Sequence, residues 1–335
     1  MDRFVFTCGD INGIGPEIAI KSLNRITRID KKSSIILVIP EKVFEKTSEF
    51  IKPIFDYHLV RNENSLISSV EQVKILLINS FRQSIGKPTI HSGRASFLAL
   101  ETAFSLIKEK LADAVVTAPV SKTALNLAGI KYPGQTEMFA DWSKAKNFVM
   151  TFLSDKLRVA LYSIHIPLKK VANSLNINEF KNKLNVLINM LNVDLNIKDP
   201  SIAVLGINPH AGENGIIGSE ENEILKRIIN MHQYKGIIEG PFASDAFFAR
   251  RKFKDFDMTL GIYHDQVLIP FKYINAGMGV NYTAGLNIIR TSPDHGTAYD
   301  IAGKGIADES SMIEAFRYAE IIFKNRRKKI RQNER

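Results

Sequence analysis

An α/β fold is expected for this chain, and three observations predict it. Short apolar, β-branched runs alternate with longer amphipathic stretches along most of the 335 residues. Several of these runs are hydrophobic almost throughout, as suits strands buried on both faces beneath helices. No internal repeat or low-complexity linker interrupts the pattern, so a layered architecture follows. The length suits about two domains at roughly 150 residues each, although composition marks no boundary between them.

The first run, Phe4–Cys8, leads into Gly9-Asp10-Ile11-Asn12-Gly13-Ile14-Gly15-Pro16-Glu17. Pro16 suits a first helical turn, and Gly13 and Gly15 permit a close backbone approach. The segment therefore reads as strand, turn and helix, with a helix N-terminus able to hold an anion. Its spacing matches neither the dinucleotide glycine fingerprint nor a P-loop, and pure turn geometry is the alternative. Ile35–Ile39 reads as a second strand. Ser92–Lys110 carries Phe97, Leu100, Phe104 and Ile107 at helical spacing, and Ala114–Thr117 follows as a strand. Thr117 to Lys122 again joins a strand to a helix, with Ser121 as a cap. Lys122 in a first turn opposes the helix dipole, so an anionic ligand explains it better than the helix does. A solvated lysine is the alternative.

Val159–Ile164, Ile202–Ile207 and Met258–Tyr263 are the remaining strand-like runs. Ser219, followed by Glu220, Glu221 and Glu223, resembles an N-cap with acids in the first turn. Glu309–Phe323 reads as a last amphipathic helix running into a basic tail.

Three of the seven histidines close strand-like runs: RVALYSIH ends at His165, IAVLGINPH at His210 and DMTLGIYH at His264. Turn chemistry follows each, in Ile166-Pro167, Ala211-Gly212 and Asp265-Gln266. Ligands of open α/β sheets bind outside the carboxyl ends of the strands. Three neutral imidazoles with an open fourth position form a catalytic divalent-metal arrangement. Three ordinary loop histidines are the plainer alternative. His58, His91 and His232 lie in polar or helical contexts and take no assigned role.

Composition closes other routes. The formal net charge is +10, but the last twelve residues alone carry +6 and the other 323 only +4. A solvated tail explains most of the excess, and it lacks the interleaved aromatics that stack nucleic-acid bases. The single cysteine, Cys8, can form no internal disulfide and no Cys-pair zinc motif. Polar residues interrupt the N-terminus before a signal-peptide core could form. No run approaches the ~20 apolar residues of a membrane span. A soluble cytoplasmic protein, with no nucleic-acid or membrane partner, is the expectation.

From Lys272 to Asp308 the chain is dense in polar groups and glycine, a mixture that gathers where loops bind ligands. A solvated surface excursion is the alternative. Here the chain resembles the 4-hydroxythreonine-4-phosphate dehydrogenase family of vitamin B6 biosynthesis. The resemblance rests on GDINGIGPEI, TAPVSKTALNLAGIKYPGQTE, HIPLKKV, NPHAGENGIIGSEE, GPFASDAFF, YHDQVLIPFKY and GVNYTAGLNIIRTSPDHGTAYDIAGKG, in that order. DHGTAYDIAGKGIAD also resembles the cofactor loop of isocitrate and isopropylmalate dehydrogenases.

The resemblance implies two α/β/α domains flanking a cleft, as in those dehydrogenases. One would comprise residues 1–120 plus 260–335 with the cofactor loop, the other 121–259 with the metal histidines and dimer contacts. It implies NAD-dependent oxidation of 4-phosphooxy-threonine, with NADP as the other nicotinamide, then decarboxylation to an aminoketone phosphate. It also implies a homodimer with the active site at the subunit interface. The implied metal ligands are His165, His210 and His264, for zinc, magnesium, cobalt or manganese. Implied substrate contacts are Thr136, Lys272, Asn281 and Arg290. Gln135 stands where a histidine usually precedes that threonine, a neutral amide in place of a group able to carry charge. The resemblance places the nicotinamide cofactor at Asp294, His295, Gly296, Thr297 and Ala298. Lys122, Asp245 and Asp265 are the candidates for accepting the hydroxyl proton. A relative acting on another phosphorylated hydroxy acid, such as threonate or erythronate 4-phosphate, is the alternative.

Overall fold

A computed structural model describes residues 1–62, 65–66 and 71–333. The chain forms two compact units, Met1–Lys144 with Asn287–Phe323 and Ala145–Leu286 with Lys324–Arg335. Residues 121–144 thus group with the first unit, and 260–286 and 324–335 with the second, whereas the expected limits assigned each of them to the other. Among the described residues, no helix is long and apolar enough to cross a membrane.

The first unit is built on parallel strands. β1 (Arg3–Thr7) lies between β2 (Ser34–Pro40) and β5 (Ala114–Thr117), with β4 (Val73–Ile78) beyond β2, β3 (Tyr57–Val60) outermost, and β12 (Arg290–Pro293) beside β5. β1, β2 and β5 are buried almost end to end, as their unbroken hydrophobicity requires.

α1 (Gly15–Ile29) opens with Pro16 in its first turn and buries Ile18, Ala19, Leu23 and Ile26 along one stripe. α2 (Glu41–Phe50) follows β2 directly. α3 (Ile90–Lys108) starts two residues before the expected Ser92, because Thr89 and Ser92 bond each other's backbone N–H groups at 3.0 and 3.1 Å. Its core stripe is Ala95, Ala99, Leu100, Ala103 and Leu106. The expected Phe97 and Phe104 sit at its margin, with ring centres 5.7 and 5.5 Å from that of Trp142. α4 (Lys122–Leu127) is capped by Ser121, which accepts from Ala124 N–H at 3.1 Å. α5 (Gln135–Trp142) completes this stretch.

In the second unit, β7 (Val159–Leu161), β10 (Met258–Gly261), β8 (Ile202–Leu205) and β9 (Ile238–Phe242) are parallel neighbours in that order. β6 (Val149–Leu153) runs antiparallel to both β7 and β11 (Val280–Ala284). Helices α6 (Ile177–Asn189), α7 (Ser244–Ala249) and α8 (His264–Asn275) accompany them. Phe152, Val159, Leu205, Phe247, Val267 and Phe271 belong to one buried cluster.

β7, β8 and β10 end two to three residues before the apolar runs that predicted them. Their continuations stay apolar because Tyr162 and Ile262 remain buried after the chain leaves the strands. Backbone bonds persist there too, Tyr162 N–H to Gly261 O at 2.8 Å and Ser163 N–H to Ile262 O at 3.1 Å.

One expectation is corrected and another extended. The helix after Ser219 has no side-chain cap, while Glu221 and Glu223 do lie in its first turn as expected, Glu221 buried. The basic tail is helical, since α9 (Ser310–Asn333) runs through it; residues 327–332 are exposed, as a solvated tail should be, but Arg326 is tied into the second unit.

Candidate functional site

The second unit carries the three histidines just beyond the carboxyl ends of β7, β8 and β10. Because those strands are parallel neighbours, all three side chains leave the same edge. His264 opens α8, and its ring centre lies 6.3 Å from that of His165, the planes 39° apart. Its Nδ1 is 2.6 Å from Asp265 Oδ1, an arrangement that orients the ring and leaves Nε2 for a ligand. An ion shared by two imidazoles sits about 2.0–2.1 Å from each nitrogen, which rings this near can reach by small rotations.

His210 sits in a turn of left-handed backbone, with φ of 52° at His210, 50° at Ala211, 41° at Glu213 and 57° at Asn214. L-residues rarely hold such angles unless their surroundings impose them. Glu221 supplies that constraint: its carboxylate accepts from Ile207 N–H at 2.8 Å, Asn208 N–H at 2.7 Å and Asn208 Nδ2 at 2.9 Å.

Among the described residues, no group of three His, Cys, Asp or Glu side chains is arranged to hold an ion. The structure therefore brings His165 and His264 together and leaves His210 outside a three-ligand set within one chain. The donor chemistry suits a divalent ion of the zinc type, with two imidazoles and a carboxylate behind one of them.

The other expected residues of this unit are more dispersed. Asp245 lies exposed in the first turn of α7. Lys272 is exposed in the last turn of α8, eight residues and so roughly 12 Å along the helix axis from His264. Asn281 lies near the start of β11.

In the first unit Arg290 is the organising group. It is only 2% exposed. Its Nε and Nη2 donate to Thr117 Oγ1 at 3.1 and 3.0 Å, and Nη2 also to Ser292 Oγ at 2.9 Å and Gln135 Oε1 at 3.1 Å. Nη1 reaches Thr136 Oγ1 at 3.4 Å. Burial pulls its pKa down to about 10, and the nearby Glu137 charge offsets part of that. Gln135 also donates to Ala118 O at 3.0 Å, so its amide meets an acceptor and a donor at once. Lys122 belongs to the same corner: its Cε is 3.7 Å from where a Cβ on Gly134 would stand. Arg290, Gln135, Thr136 and Lys122 thus lie together, with Thr117 and Ser292 as neighbours that sequence reasoning did not single out as contacts.

The segment Asp294 to Ala298 rests on the N-terminal glycine turn. Ile14 N–H donates to Thr297 O at 3.0 Å, and a Cβ on Gly13 would stand 2.6 Å from that same oxygen. A Cβ on Gly15 would collide with Cys8 O. Both glycines therefore make room for the protein's own backbone, as the turn-geometry alternative requires. Asp10 ties the turn to the loop by accepting from Tyr299 OH at 2.8 Å. A cavity of about 300 Å³ lies beside them, bordered by Ile11, Gly13, Gln83, Ile85, Ala302 and Gly303.

Glu221 and Gln266 are the functional-edge residues least visible in sequence. Glu221 lay among helix-start acids and Gln266 among turn residues, and neither position signalled burial.

Residues 31–319 match the family described as pyridoxal phosphate biosynthetic protein PdxA. A protein of Sulfurihydrogenibium sp. (strain YO3AOP1), named 4-hydroxythreonine-4-phosphate dehydrogenase, is 38% identical across 98% of this chain and 100% of its own. An Oceanobacillus iheyensis protein, given provisionally as a D-threonate 4-phosphate dehydrogenase, is 39% identical across 93% of this chain and 95% of its own. The crystal structure of 4-hydroxythreonine-4-phosphate dehydrogenase from Klebsiella pneumoniae superposes with a TM-score of 0.80 at 32% identity, covering 96% of this chain and 98% of that one.

Proposed function

Because this chain belongs to the family of the pyridoxal phosphate biosynthetic protein PdxA, we propose that it oxidises 4-phosphooxy-L-threonine with NAD as hydride acceptor. The 2-amino-3-oxo acid formed then loses carbon dioxide to give 3-amino-2-oxopropyl phosphate. The observation that carries the reading is the family match over residues 31–319.

The resemblance supplies each residue's task, and the residues' surroundings support some of them. Arg290, with Thr136 and Gln135 beside it, receives an anionic group of the substrate through a fixed fork of donors. The family resemblance gives Lys272 and Asn281 as further substrate contacts. The loop from Asp294 to Ala298, with the cavity beside Gly13, accommodates part of the nicotinamide cofactor, which carries the redox chemistry. His165, His264 and His210 would hold the divalent ion, which when bound would supply Lewis-acid polarisation of the substrate's hydroxyl. Asp265 is engaged with His264, so the reading takes Lys122 as proton acceptor, with Asp245 as the other candidate.

The ion's third ligand points to a homodimer with its active site at the subunit interface. Among the described residues His165 and His264 pair and no three-ligand group forms, and Ile166, Leu168, Ile216 and Ile217 lie exposed around their loops. A second copy covering that apolar border and supplying His210 accounts for both. Mixing His165→Ala and His210→Ala variants tests this, since each is expected to be inactive alone. Half the dimers of a statistical mixture are mixed, with one intact site each, so about a quarter of wild-type activity should return. A mixture as inactive as its parts would place all three histidines in one subunit.

A second reading keeps the chemistry and changes the substrate to threonate or erythronate 4-phosphate. The D-threonate-named relative and the neutral amide of Gln135 favour it. Formation of reduced nicotinamide, followed by near-ultraviolet absorbance with each substrate, decides between the two. Absence of turnover on all of them, with any divalent metal, would refute the dehydrogenase assignment.

A further inference from the structure

Gln266 is 7% exposed and sits two residues beyond His264 in the first turn of α8. Its side chain reaches three separate segments of the second unit. Oε1 accepts from Ile262 N–H, just past β10, at 2.6 Å. Nε2 donates to Gly206 O, just past β8, at 2.6 Å, and to Ser244 Oγ, at the start of α7, at 2.8 Å. The orientation of the amide is dictated by its partners, since a backbone N–H can only donate and a carbonyl can only accept.

The Gly206 arm continues mechanically to His210. A Cβ on Gly206 would stand 2.9 Å from Ala211 Cα and 3.2 Å from Glu221 Oε1. The strand end that Gln266 holds is therefore packed directly against the residue after His210 and against the carboxylate that shapes the turn. The Ile262 arm acts at the other end, two residues before His264.

We propose that Gln266 is a positioning residue for the metal histidines, fixing the exits of β8 and β10 and thereby the directions in which His210 and His264 leave the sheet. It touches neither metal nor substrate. The proposal rests on the metal reading above, and it holds whether His210 serves its own subunit's ion or a partner's. Replacing Gln266 leaves a buried N–H and a buried C=O without their partner, and each then seeks satisfaction by moving.

The test is metal binding, measured by chelator competition with zinc and by the visible absorption spectrum of the cobalt-loaded protein. Gln266→Leu is expected to weaken zinc binding roughly 10- to 100-fold and to alter the cobalt spectrum, while the metal-free protein still unfolds in one cooperative step. Should the leucine variant fail to fold, Gln266→Glu retains the acceptor for Ile262 N–H and loses the donor toward Gly206 O and Ser244 Oγ. It is expected to weaken zinc binding and change the cobalt spectrum as well. A folded variant with wild-type zinc affinity and an unchanged cobalt spectrum overturns the proposal. Wild-type protein that binds neither zinc nor cobalt would instead overturn the metal reading, and this proposal with it.

Discussion

Arg326 grips both carboxylate oxygens of Asp194, Nε to Oδ1 at 2.7 Å and Nη2 to Oδ2 at 3.2 Å. Tyr282 closes the group, donating to Asp194 Oδ2 at 2.6 Å and accepting from Arg326 Nη2 at 2.9 Å. Asn325 adds a bond to Asp194 O at 2.8 Å. Burial lowers the guanidinium's proton affinity, but Tyr282 and Asp194 outweigh it and hold the pKa above the ordinary arginine range. The basic tail is therefore anchored beside β11, the strand that carries Asn281.

Removing Arg326 leaves the Asp194 carboxylate buried without its cation. Arg326→Ala is expected to cost about 3 kcal/mol, the low end for breaking a buried pair, read as a lower urea midpoint. A midpoint unchanged within error would return the tail to a passive role.

Arg290→Lys should raise KM for the phosphorylated substrate at least tenfold, because one ammonium cannot reproduce the forked contacts to Thr117, Gln135 and Ser292. The wild-type enzyme adds a pH signature. The Arg290 pKa is depressed to about 10, so burying the charged form costs stability at neutral pH, and that cost is relieved as pH rises through 10. Anion binding runs the other way, with KM climbing above pH ~10 as the guanidinium loses its proton. A KM flat to pH 11 would count against Arg290 as the anion's partner.

Asp10 is fully buried, and that burial raises its pKa, opposed by bonds from Asn12 N–H, Tyr299 OH and Ser92 Oγ. A raised carboxyl pKa means that stability falls as pH rises from about 4 through the folded-state value, where a buried charge must form. Asp10→Asn lacks that titration. The melting temperature of the variant relative to wild type should therefore increase between pH 4 and 7. The opposite trend would show that the bonds to the charged form dominate.

Cys8 is buried, and desolvation pushes its thiol up to about 12. Native protein should react with a thiol reagent no faster than it unfolds, while denatured protein titrates one thiol at once. Rapid labelling of the native state would mean that the β1 exit opens readily.

Much of the architecture was legible because strands and helix starts are local signals. The continuous apolar runs at β1, β2 and β5 report burial on both faces, Pro16 suits only a first helical turn, and Ser121 caps as its hydroxyl predicts. The histidine placement was legible for the same reason: His165, His210 and His264 follow strands whose shared direction puts them on one edge. The strand ends were less so, since Tyr162 and Ile262 stay buried, with backbone bonds still made there, after the regular strands end, and hydrophobicity registers burial rather than strand geometry.

What the sequence determined by itself is the alternation of elements, the α/β class and the residue types gathered at strand ends. Only the tertiary structure decided that Glu221 shapes the His210 turn, that Gln266 joins β8 to β10, and that Arg326 meets Asp194. Those partners lie 13 to 132 residues apart in the chain. Two of the three pairings are made to backbone groups, which every residue carries and no side-chain pattern marks. A buried polar group binds whatever donor or acceptor the fold brings to it, and that choice exists only once the chain has closed around it.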